Sequence, residues 1–248
     1  MAGHSKWANI KHKKGVNDTR RGKLWSKLAR NVIVAAKTGG GDPAANLALR
    51  YAVEKAKEAN MPNDTIDKAI KKGTGELGAE SYQPASYEGY GPGGVAVIVD
   101  ALTDNPARTA PEIKKIFERG GGNLGAVNCV SWNFSTKGVF TVSATAFEEE
   151  ALMDIVVEAG GEDVVRDDDV FEITCEVTMY DAVRKALDAK KVPLQSAEIT
   201  KIPGTRVSLD AETAQRVLKM IEAFEDNDDV QQVHHNLELT DELMAELK

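Results

Sequence analysis

The sequence predicts an α+β protein in which an N-terminal three-helix bundle is followed by two ferredoxin-like α+β domains, one inserted in the other. Helical periodicity runs through the first 72 residues. These residues carry a net charge of +10 and residues 73–248 carry −18, an asymmetry typical of separate domains. Further along, strand and helix patterns follow the order β-α-β-β-α-β. The predicted boundaries are 1–76 for the helical domain, 77–134 with 205–248 for a discontinuous α+β domain, and 135–204 for its insert.

The first predicted helix, from Arg21 to Lys37, has two chemically different faces. Apolar residues recur at 3.6-residue spacing, as on the packed face of an amphipathic helix: Leu24, Trp25, Leu28, Ala29, Val32, Ile33, Ala35 and Ala36. The opposite face carries a set of cations that we call the basic stripe: Arg20, Lys23, Lys27, Arg30 and Lys37. The spacing predicts that Trp25 lies in the core of the bundle.

Two more helices complete the predicted bundle. The first helix stops at three consecutive glycines, after which Asp42 is expected to cap a second helix and Pro43 to occupy its first turn. The second helix ends near Ala59, and Asn63 or Asp64 is expected to cap a third. Helices with such short connections pack as a small bundle.

The rest of the chain is predicted to alternate strands and helices after a linker. Residues 73–93 hold glycines, prolines and three tyrosines without periodicity, which is typical of a linker or loop. The predicted strands are Val95–Leu102, Val127–Phe134, Gly138–Ser143, Asp163–Arg166, Val170–Glu176, Ala197–Ile202, Arg206–Leu209 and Val230–Leu237. The predicted helices are Ala110–Arg119, Phe147–Ala159, Tyr180–Lys190, Ala211–Phe224 and Asp241–Leu247.

The composition predicts a cytoplasmic protein. No apolar run approaches the length that spans a bilayer, and the first residues lack the apolar core of a secretory signal. Two distant cysteines, Cys129 and Cys175, are interpreted as reduced, buried thiols.

The sequence supports no catalytic, cofactor or metal site, so it predicts a protein that is not an enzyme and has no small-molecule substrate. A G-x-G-x-x-G pattern at 89–94 precedes a strand instead of a helix, which favours a tight turn over a dinucleotide site. His234 and His235 are adjacent on a predicted strand and face opposite sides. The acidic residues at 167–169 and 226–229 lie at predicted turns and are interpreted as solvated charges.

The basic N-terminus is the feature that predicts a function. Residues 1–37 contain ten Lys/Arg and a single acid, Asp18, in a chain whose net charge is −8. For the basic stripe alone, a solvated face and a binding surface are about equally supported. The one-signed excess and the interleaved Trp7 favour binding to nucleic-acid phosphates and bases. The candidate nucleic-acid-binding residues are Lys6, Trp7, Lys11, His12, Lys13, Lys14, Arg20, Arg21, Lys23, Lys27, Arg30 and Lys37.

Two other roles for a basic N-terminus are less well supported. An anionic membrane attracts basic amphipathic helices, but the apolar face here is rich in alanine and is needed for the bundle. A mitochondrial targeting segment would be removed, whereas this one continues directly into the first helix. We therefore predict no membrane partner, and expect the first nineteen residues to be disordered until they bind.

Several segments of the chain resemble the YebC/PmpR family: MAGHSKWANIKHKK, RRGKLWSKL, GGGDPAAN, ANMPNDTIDKAIKKGTGE, YEGYGPGGVAVIV, the pair ALTDN and RT, and GGNLG. The resemblance extends along nearly the whole chain. It implies a helical domain and two α+β domains, one inserted in the other, and a cytoplasmic, non-enzymatic protein that binds nucleic acid. Family members are described as probable transcriptional regulatory proteins, and mitochondrial relatives as translational activators of cytochrome c oxidase.

The family's basic residues match this sequence at Lys6, Lys11, Lys13, Arg21, Lys23 and Lys27. The sequence departs from the family pattern at 105–109 and 126–129, both in the acidic part of the chain.

Two hypotheses about the partner follow. The leading one is a DNA-binding transcriptional regulator of weak sequence specificity, because no helix is rich in base-reading residues. Its acidic α+β body would repel the duplex and offer a surface to a protein partner. The alternative is a translation factor that binds ribosomal RNA and eases proline-rich stalls. Charge reversal of Lys23, Lys27 and Arg30 is expected to abolish either kind of binding and to leave the fold intact.

Overall fold

A computed structural model describes residues 18–78, 81–167 and 169–246. These residues form two compact units. The first comprises 18–78, 81–129 and 215–233, and the second comprises 130–167, 169–214 and 234–246. Within this described part, no helix combines the length and the apolar character needed to cross a bilayer. The three domain boundaries given above stay a prediction.

Three helices form the N-terminal part of the first unit, as predicted: α1 (Asp18–Gly39), α2 (Leu47–Glu58) and α3 (Asn63–Thr74). Their apolar faces meet in one core that includes Leu28 and Leu49. Trp25 was expected inside this core, but it is half-buried and packs against the core from its edge, where its Nε1 donates a hydrogen bond to the carbonyl of Ala59 at 3.0 Å. Leu24 was expected on the same face, but it is 46% exposed.

The start of α2 differs from the prediction. Asn46 is the N-cap, and its side-chain oxygen accepts a hydrogen bond from the amide of Leu49 at 3.1 Å. Asp42 instead accepts from the amide of Ala44 at 2.9 Å, within the turn that precedes the helix. Pro43 therefore lies before α2 and does not open it.

The predicted cap of α3 is also wrong. The cap position is Pro62, and no side chain accepts a hydrogen bond there. Close packing against α1 holds this helix instead. A Cβ atom added at Gly73 would lie 2.5 Å from the carbonyl oxygen of Ile33 and 2.6 Å from Cβ of Ala36, so the two helices approach each other at this glycine.

A four-stranded sheet follows the bundle, with its strands in the order β3-β1-β2-β8: β1 (Gln83–Tyr90), β2 (Ala96–Thr103), β3 (Asn123–Leu124) and β8 (Val230–His235). β1 pairs antiparallel with β2 along its whole length. Two helices accompany the sheet, α4 (Pro106–Arg119) and α7 (Ala211–Glu225). They contribute Phe117 and Phe224, whose rings meet edge to face with centroids 4.7 Å apart.

Three sequence predictions fail in this region. β1 lies in the segment predicted to be a linker. The predicted strand Val127–Phe134 consists of turns and a short 3-10 helix, and the chain becomes extended only from Phe134. The predicted strand Arg206–Leu209 forms a single bridge, between Val207 and Leu237.

The glycine pattern at 89–94 forms a tight turn before a strand, as predicted, but it follows strand β1 instead of the predicted loop. Gly89 lies within β1, and residues 91–94 form the tight connection to β2. The amide of Gly91 donates to the carbonyl of Val95 at 2.8 Å, which closes this turn.

Residues 134–203 have the predicted β-α-β-β-α-β order: β4 (Phe134–Ser143), α5 (Glu149–Glu158), β5 (Asp163–Asp167), β6 (Val170–Glu176), α6 (Tyr180–Ala189) and β7 (Leu194–Pro203). Its sheet has the strand order β5-β6-β4-β7 with antiparallel neighbours. A side chain at Gly138 would lie 2.7 Å from the sulfur of Cys175, so this central strand needs glycine there. A helix, α8 (Asp241–Glu246), follows. The α+β fold class is confirmed.

Candidate nucleic-acid interface

The structure describes only part of the predicted nucleic-acid-binding set. Six residues lie outside the described part of the chain: Lys6, Trp7, Lys11, His12, Lys13 and Lys14. The side chain of Arg20 lies outside it as well. Five predicted residues are described, all on α1: Arg21, Lys23, Lys27, Arg30 and Lys37. The expected disorder of the first nineteen residues stays a prediction up to residue 17, whereas Asp18 and Thr19 belong to the helix.

Two stripe cations contact the end of α7. They meet residues 225–229 (EDNDD), which we call the acidic turn. Nζ of Lys23 donates to the carbonyl of Asp226 at 3.2 Å and lies 3.9 Å from its carboxylate. Nζ of Lys27 donates to the carbonyl of Glu225 at 2.5 Å. Carbonyls at the C-terminal end of a helix lack partners within the helix and carry its negative dipole, so they attract cations.

Arg30 contacts the buried carboxylate of the acidic turn. Its guanidinium donates to the carbonyl of Asp228 and to the carboxylate of Asp229, the latter at 3.2 Å. The Asp229 side chain is 5% exposed, whereas that of Asp226 is 74% exposed. The guanidinium carbon of Arg30 also lies 5.3 Å from the ring centroid of Tyr82, within the range of a cation–π contact. Arg30 therefore holds the bundle against the acidic turn.

Asp229 is shared by two arginines. Arg108 donates to its second carboxylate oxygen at 2.7 Å, and the hydroxyl of Thr109 donates to the same oxygen at 2.7 Å. Burial alone raises the pKa of Asp229. The hydrogen bonds from Arg108 and Thr109 and the charges of Arg108 and Arg30 outweigh burial, so this pKa lies below its usual value. The interpretation of 226–229 as solvated charges is therefore wrong for Asp229.

Local sequence explains why these groups meet. Asn105 caps α4 by accepting a hydrogen bond from the amide of Arg108 at 3.3 Å, which places Arg108 and Thr109 in the first helical turn. The carbonyl of Asp229 accepts from the amide of Leu102 at 2.8 Å and fixes the end of the acidic turn to β2. Asp229 is thus held by backbone and side chain together.

The other two described candidate residues are exposed. Lys37 is exposed, and its Nζ donates to the hydroxyl of Ser81 at 3.4 Å. Arg21 is exposed near the start of α1. The structure therefore brings Lys23, Lys27 and Arg30 to one segment.

A groove of about 640 Å³ lies between the first two helices and strands β1 and β2. Its lining is mostly alanine, valine and leucine, and Asp100 is the one ionisable residue among the lining groups. The carboxylate of Asp100 accepts a hydrogen bond from Ser86 at 2.8 Å. Over the described ranges, no group of three or more His, Cys, Asp or Glu residues could hold a metal ion. The absence of catalytic, cofactor and metal sites stays a prediction.

Both cysteines are free thiols, as predicted. Cys175 is buried, and burial, followed by the charges of Glu162 and Glu176, raises its pKa to about 11, which makes it a poor nucleophile at neutral pH. Cys129 is only half-buried, so the prediction of burial is wrong for this residue.

Sequence reasoning missed the acidic turn as the partner of the stripe, and it missed Arg108 and Thr109 as further partners of Asp229. One signal was present: EDNDD carries four acids in five residues, and its sign is opposite to that of the stripe. The sequence contains other acidic segments, however, and nothing in their spacing tells which of them returns to α1.

Comparisons with known proteins cover nearly the whole chain. A family model described as the TACO1/YebC protein N-terminal domain matches residues 5–76, and one described as the TACO1/YebC second and third domain matches residues 82–237. A probable transcriptional regulatory protein of Natranaerobius thermophilus is 53% identical over 98% of this chain and 99% of its own. A protein of the same name from Maridesulfovibrio salexigens is 49% identical over 100% of both chains.

A solved structure shares the fold. The crystal structure of a conserved hypothetical protein from Aquifex aeolicus superposes with a TM-score of 0.82 and 47% sequence identity, covering 90% of this chain and 93% of that one.

Proposed function

Because the chain belongs to the TACO1/YebC family, we propose that it is a regulatory protein that binds nucleic acid, with DNA as its target. Two relatives are named probable transcriptional regulatory proteins, which supports the regulatory role. We also propose that the cytoplasm is its location, and that its acidic α+β part offers a surface to a protein partner.

One observation carries the proposal. Residues 1–37 hold ten cations and one acid, although the chain as a whole is anionic. A cluster of positive charges of this kind neutralises the phosphate backbone of a nucleic acid, and the release of the counterions from that backbone drives binding. The acidic remainder repels a duplex, so only the N-terminal surface can approach it.

Seven of these ten cations fall into three groups. Lys6, Lys11, Lys13 and Lys14 precede α1, and we assign them the first contact with phosphates. Lys23 and Lys27 follow on the helix, where they already contact the carbonyl groups of Asp226 and Glu225. Arg30 is the least suited to a phosphate because its partner Asp229 is buried.

The proposal is tested by removing the charges that precede α1 from the full chain. Replacing those four lysines with Gln should weaken binding to a 20-base-pair DNA duplex by more than tenfold at low salt. The slope of the logarithm of the binding constant against the logarithm of the salt concentration should become less negative by about three to four, since each lost phosphate contact removes about 0.9 from it. Fluorescence anisotropy between 50 and 200 mM salt, roughly the range over which such contacts are lost, measures both quantities.

A matched control makes the same change in net charge at other positions of the chain. Lys114, Lys115, Lys185 and Lys190 are exposed and lie far from the N-terminus in sequence. Replacing them with Gln should change affinity several-fold less than the N-terminal replacements. Equal effects of the two sets would contradict the proposal.

Ribosomal RNA is the competing target, and the resemblance to mitochondrial translational activators favours it. The same lysines would contact its phosphates, so binding to duplexes alone does not separate the two. Crosslinking in cells followed by sequencing of the bound nucleic acid does. Predominant recovery of DNA is expected, and recovery of ribosomal RNA with little DNA would replace the transcriptional role with one in translation.

A further inference from the structure

The acidic turn gives Lys23 and Lys27 the kind of partner that a phosphate backbone would give them. Each ammonium group contacts an oxygen of this turn: the carbonyl of Asp226 at 3.2 Å from Lys23, and the carbonyl of Glu225 at 2.5 Å from Lys27. The carboxylate of Asp226 lies 3.9 Å from Lys23. A phosphate that approaches either lysine therefore competes with these oxygens for the positive charge and the N–H donors of the ammonium group.

Only the Asp229 end of the acidic turn has a buried side chain. Asp229 is buried and accepts hydrogen bonds from Arg30, Arg108 and Thr109. At the other end, the side chain of Asp226 is 74% exposed and that of Lys23 is 44% exposed. Contacts at the exposed end are the weaker ones, because water and salt screen them.

Exchange at the exposed end needs little rearrangement. Lysine side chains are long and flexible, so Lys23 and Lys27 can turn from the carbonyls toward a neighbouring phosphate. The backbone of the turn stays supported, because the amide of Asp226 donates to Glu222 at 2.9 Å and that of Asn227 donates to Phe224 at 3.0 Å. Arg30 has no such freedom, since Asp229 would lose a partner inside the fold.

We propose that the acidic turn is an internal competitor of nucleic acid for Lys23 and Lys27, while Arg30 stays bound to Asp229. This inference rests on the proposed function, because it names what occupies two of the phosphate contacts in the unbound protein. A polymer that also engages the cations before α1 gains enough to displace the turn. A short anion that reaches only the helix gains less.

The test removes two of the four negative charges of the turn and leaves Asp229 unchanged. In the full chain, Asp226→Asn combined with Asp228→Asn should tighten binding to a 20-base-pair DNA duplex and to the matching RNA duplex, with both side chains exposed in the fold. The control combines Glu54→Gln with Asp67→Asn, which makes the same change in net charge at exposed positions of the bundle. We expect the first pair to raise affinity at least about threefold more than the control.

A second set of variants tests whether the gain in affinity depends on Lys23 and Lys27. With Lys23→Gln and Lys27→Gln present, the gain from Asp226→Asn and Asp228→Asn should shrink to that of the control. A gain that persists in this background, or one equal to the control in the parent chain, overturns the competitor role while the proposed function stands. If neither the parent chain nor the Asp226→Asn, Asp228→Asn variant binds either duplex, the proposed function fails and the competitor role fails with it.

Discussion

The two ends of the contact between the basic stripe and the acidic turn carry the same charges but lie in different surroundings. At one end, Lys23 and Asp226 are exposed side chains 3.9 Å apart. At the other, Arg30 is 18% exposed and Asp229 is 5% exposed, with 3.2 Å between their charged atoms. Exposed pairs contribute at most about 1 kcal/mol, whereas removing one partner of a buried pair costs about 3 to 5 kcal/mol. Helical periodicity therefore identifies cations that share a face, but not those that are available to a ligand.

The residue types fit these two roles. Arginine presents several donors in a fixed plane, and Arg30 uses them on Asp228, on Asp229 and against the ring of Tyr82. Lysine presents a compact charge on a flexible stem, which suits Lys23 to contacts that exchange. The difference between the ends thus appears in the side chains as well as in their burial.

Removing Asp229 should have the largest effect on the fold. Asp229→Ala leaves Arg30 and Arg108 without their shared carboxylate, so we expect the free energy of unfolding to fall by about 3 kcal/mol or more. Urea denaturation measures this loss. Asp226→Ala, the matched change at the exposed end, should cost less than about 1 kcal/mol. Similar losses of unfolding free energy for the two variants would contradict the difference between the buried end and the exposed end.

Acid should weaken the buried end. The pKa of Asp229 is depressed in the folded chain, so its contacts stabilise the fold fully above the unfolded pKa of about 3.9, and that contribution is lost as the pH falls through the folded pKa. Carboxyl-carbon NMR should give a titration midpoint for Asp229 below about 3.9. Arg108→Gln should raise this midpoint because it removes a hydrogen bond and a charge. A midpoint that is normal in the parent chain, or that does not move in the variant, would contradict the account.

The smallest effect is expected from the exposed pair. A double-mutant cycle of Lys23→Ala and Asp226→Ala should give a coupling energy of at most about 0.5 kcal/mol, and this energy should vanish by about 0.5 M salt, where screening is strong. Thermal or urea unfolding at two salt concentrations measures it. A salt-resistant coupling above about 1.5 kcal/mol would show that Lys23 is as fixed as Arg30 and would remove the distinction on which the competitor role depends.

The same contrast changes how the interface should be probed. Charge reversal of Lys23, Lys27 and Arg30 together, which periodicity alone suggests, would place a new carboxylate at position 30 beside the carboxylate of Asp229. Loss of binding in that variant would then report loss of the fold. Lys23 and Lys27 without Arg30 are the appropriate pair.

The sequence predicted elements whose signals are local. The amphipathic pattern of α1 is explicit in its residues, and the alternation of strands and helices in 138–202 is strong enough to give the order of the insert. β1 was not predicted because Pro84, Gly89 and scattered tyrosines interrupt the alternation of apolar and polar residues that indicates a strand. Its extended form depends on pairing with β2, whose residues Ala96–Thr103 are nearly all buried.

The candidate site was predicted less completely than the fold, for a physical reason. Periodicity placed Lys23, Lys27 and Arg30 on one face, and the structure keeps them together. Their partners come from a segment about 200 residues further along the chain, as the sequence separation of 199 between Arg30 and Asp229 shows. Only the folded chain reveals that an acidic turn returns to α1, because such long-range pairing leaves no local pattern.

The most direct test of the central claim is a crystal structure of the full chain bound to a 20-base-pair DNA duplex. We predict phosphate oxygens in hydrogen-bond contact with the ammonium groups of Lys23 and Lys27, and an intact pair between Arg30 and Asp229. A duplex bound while both lysines remain on the carbonyls of Glu225 and Asp226 would contradict it.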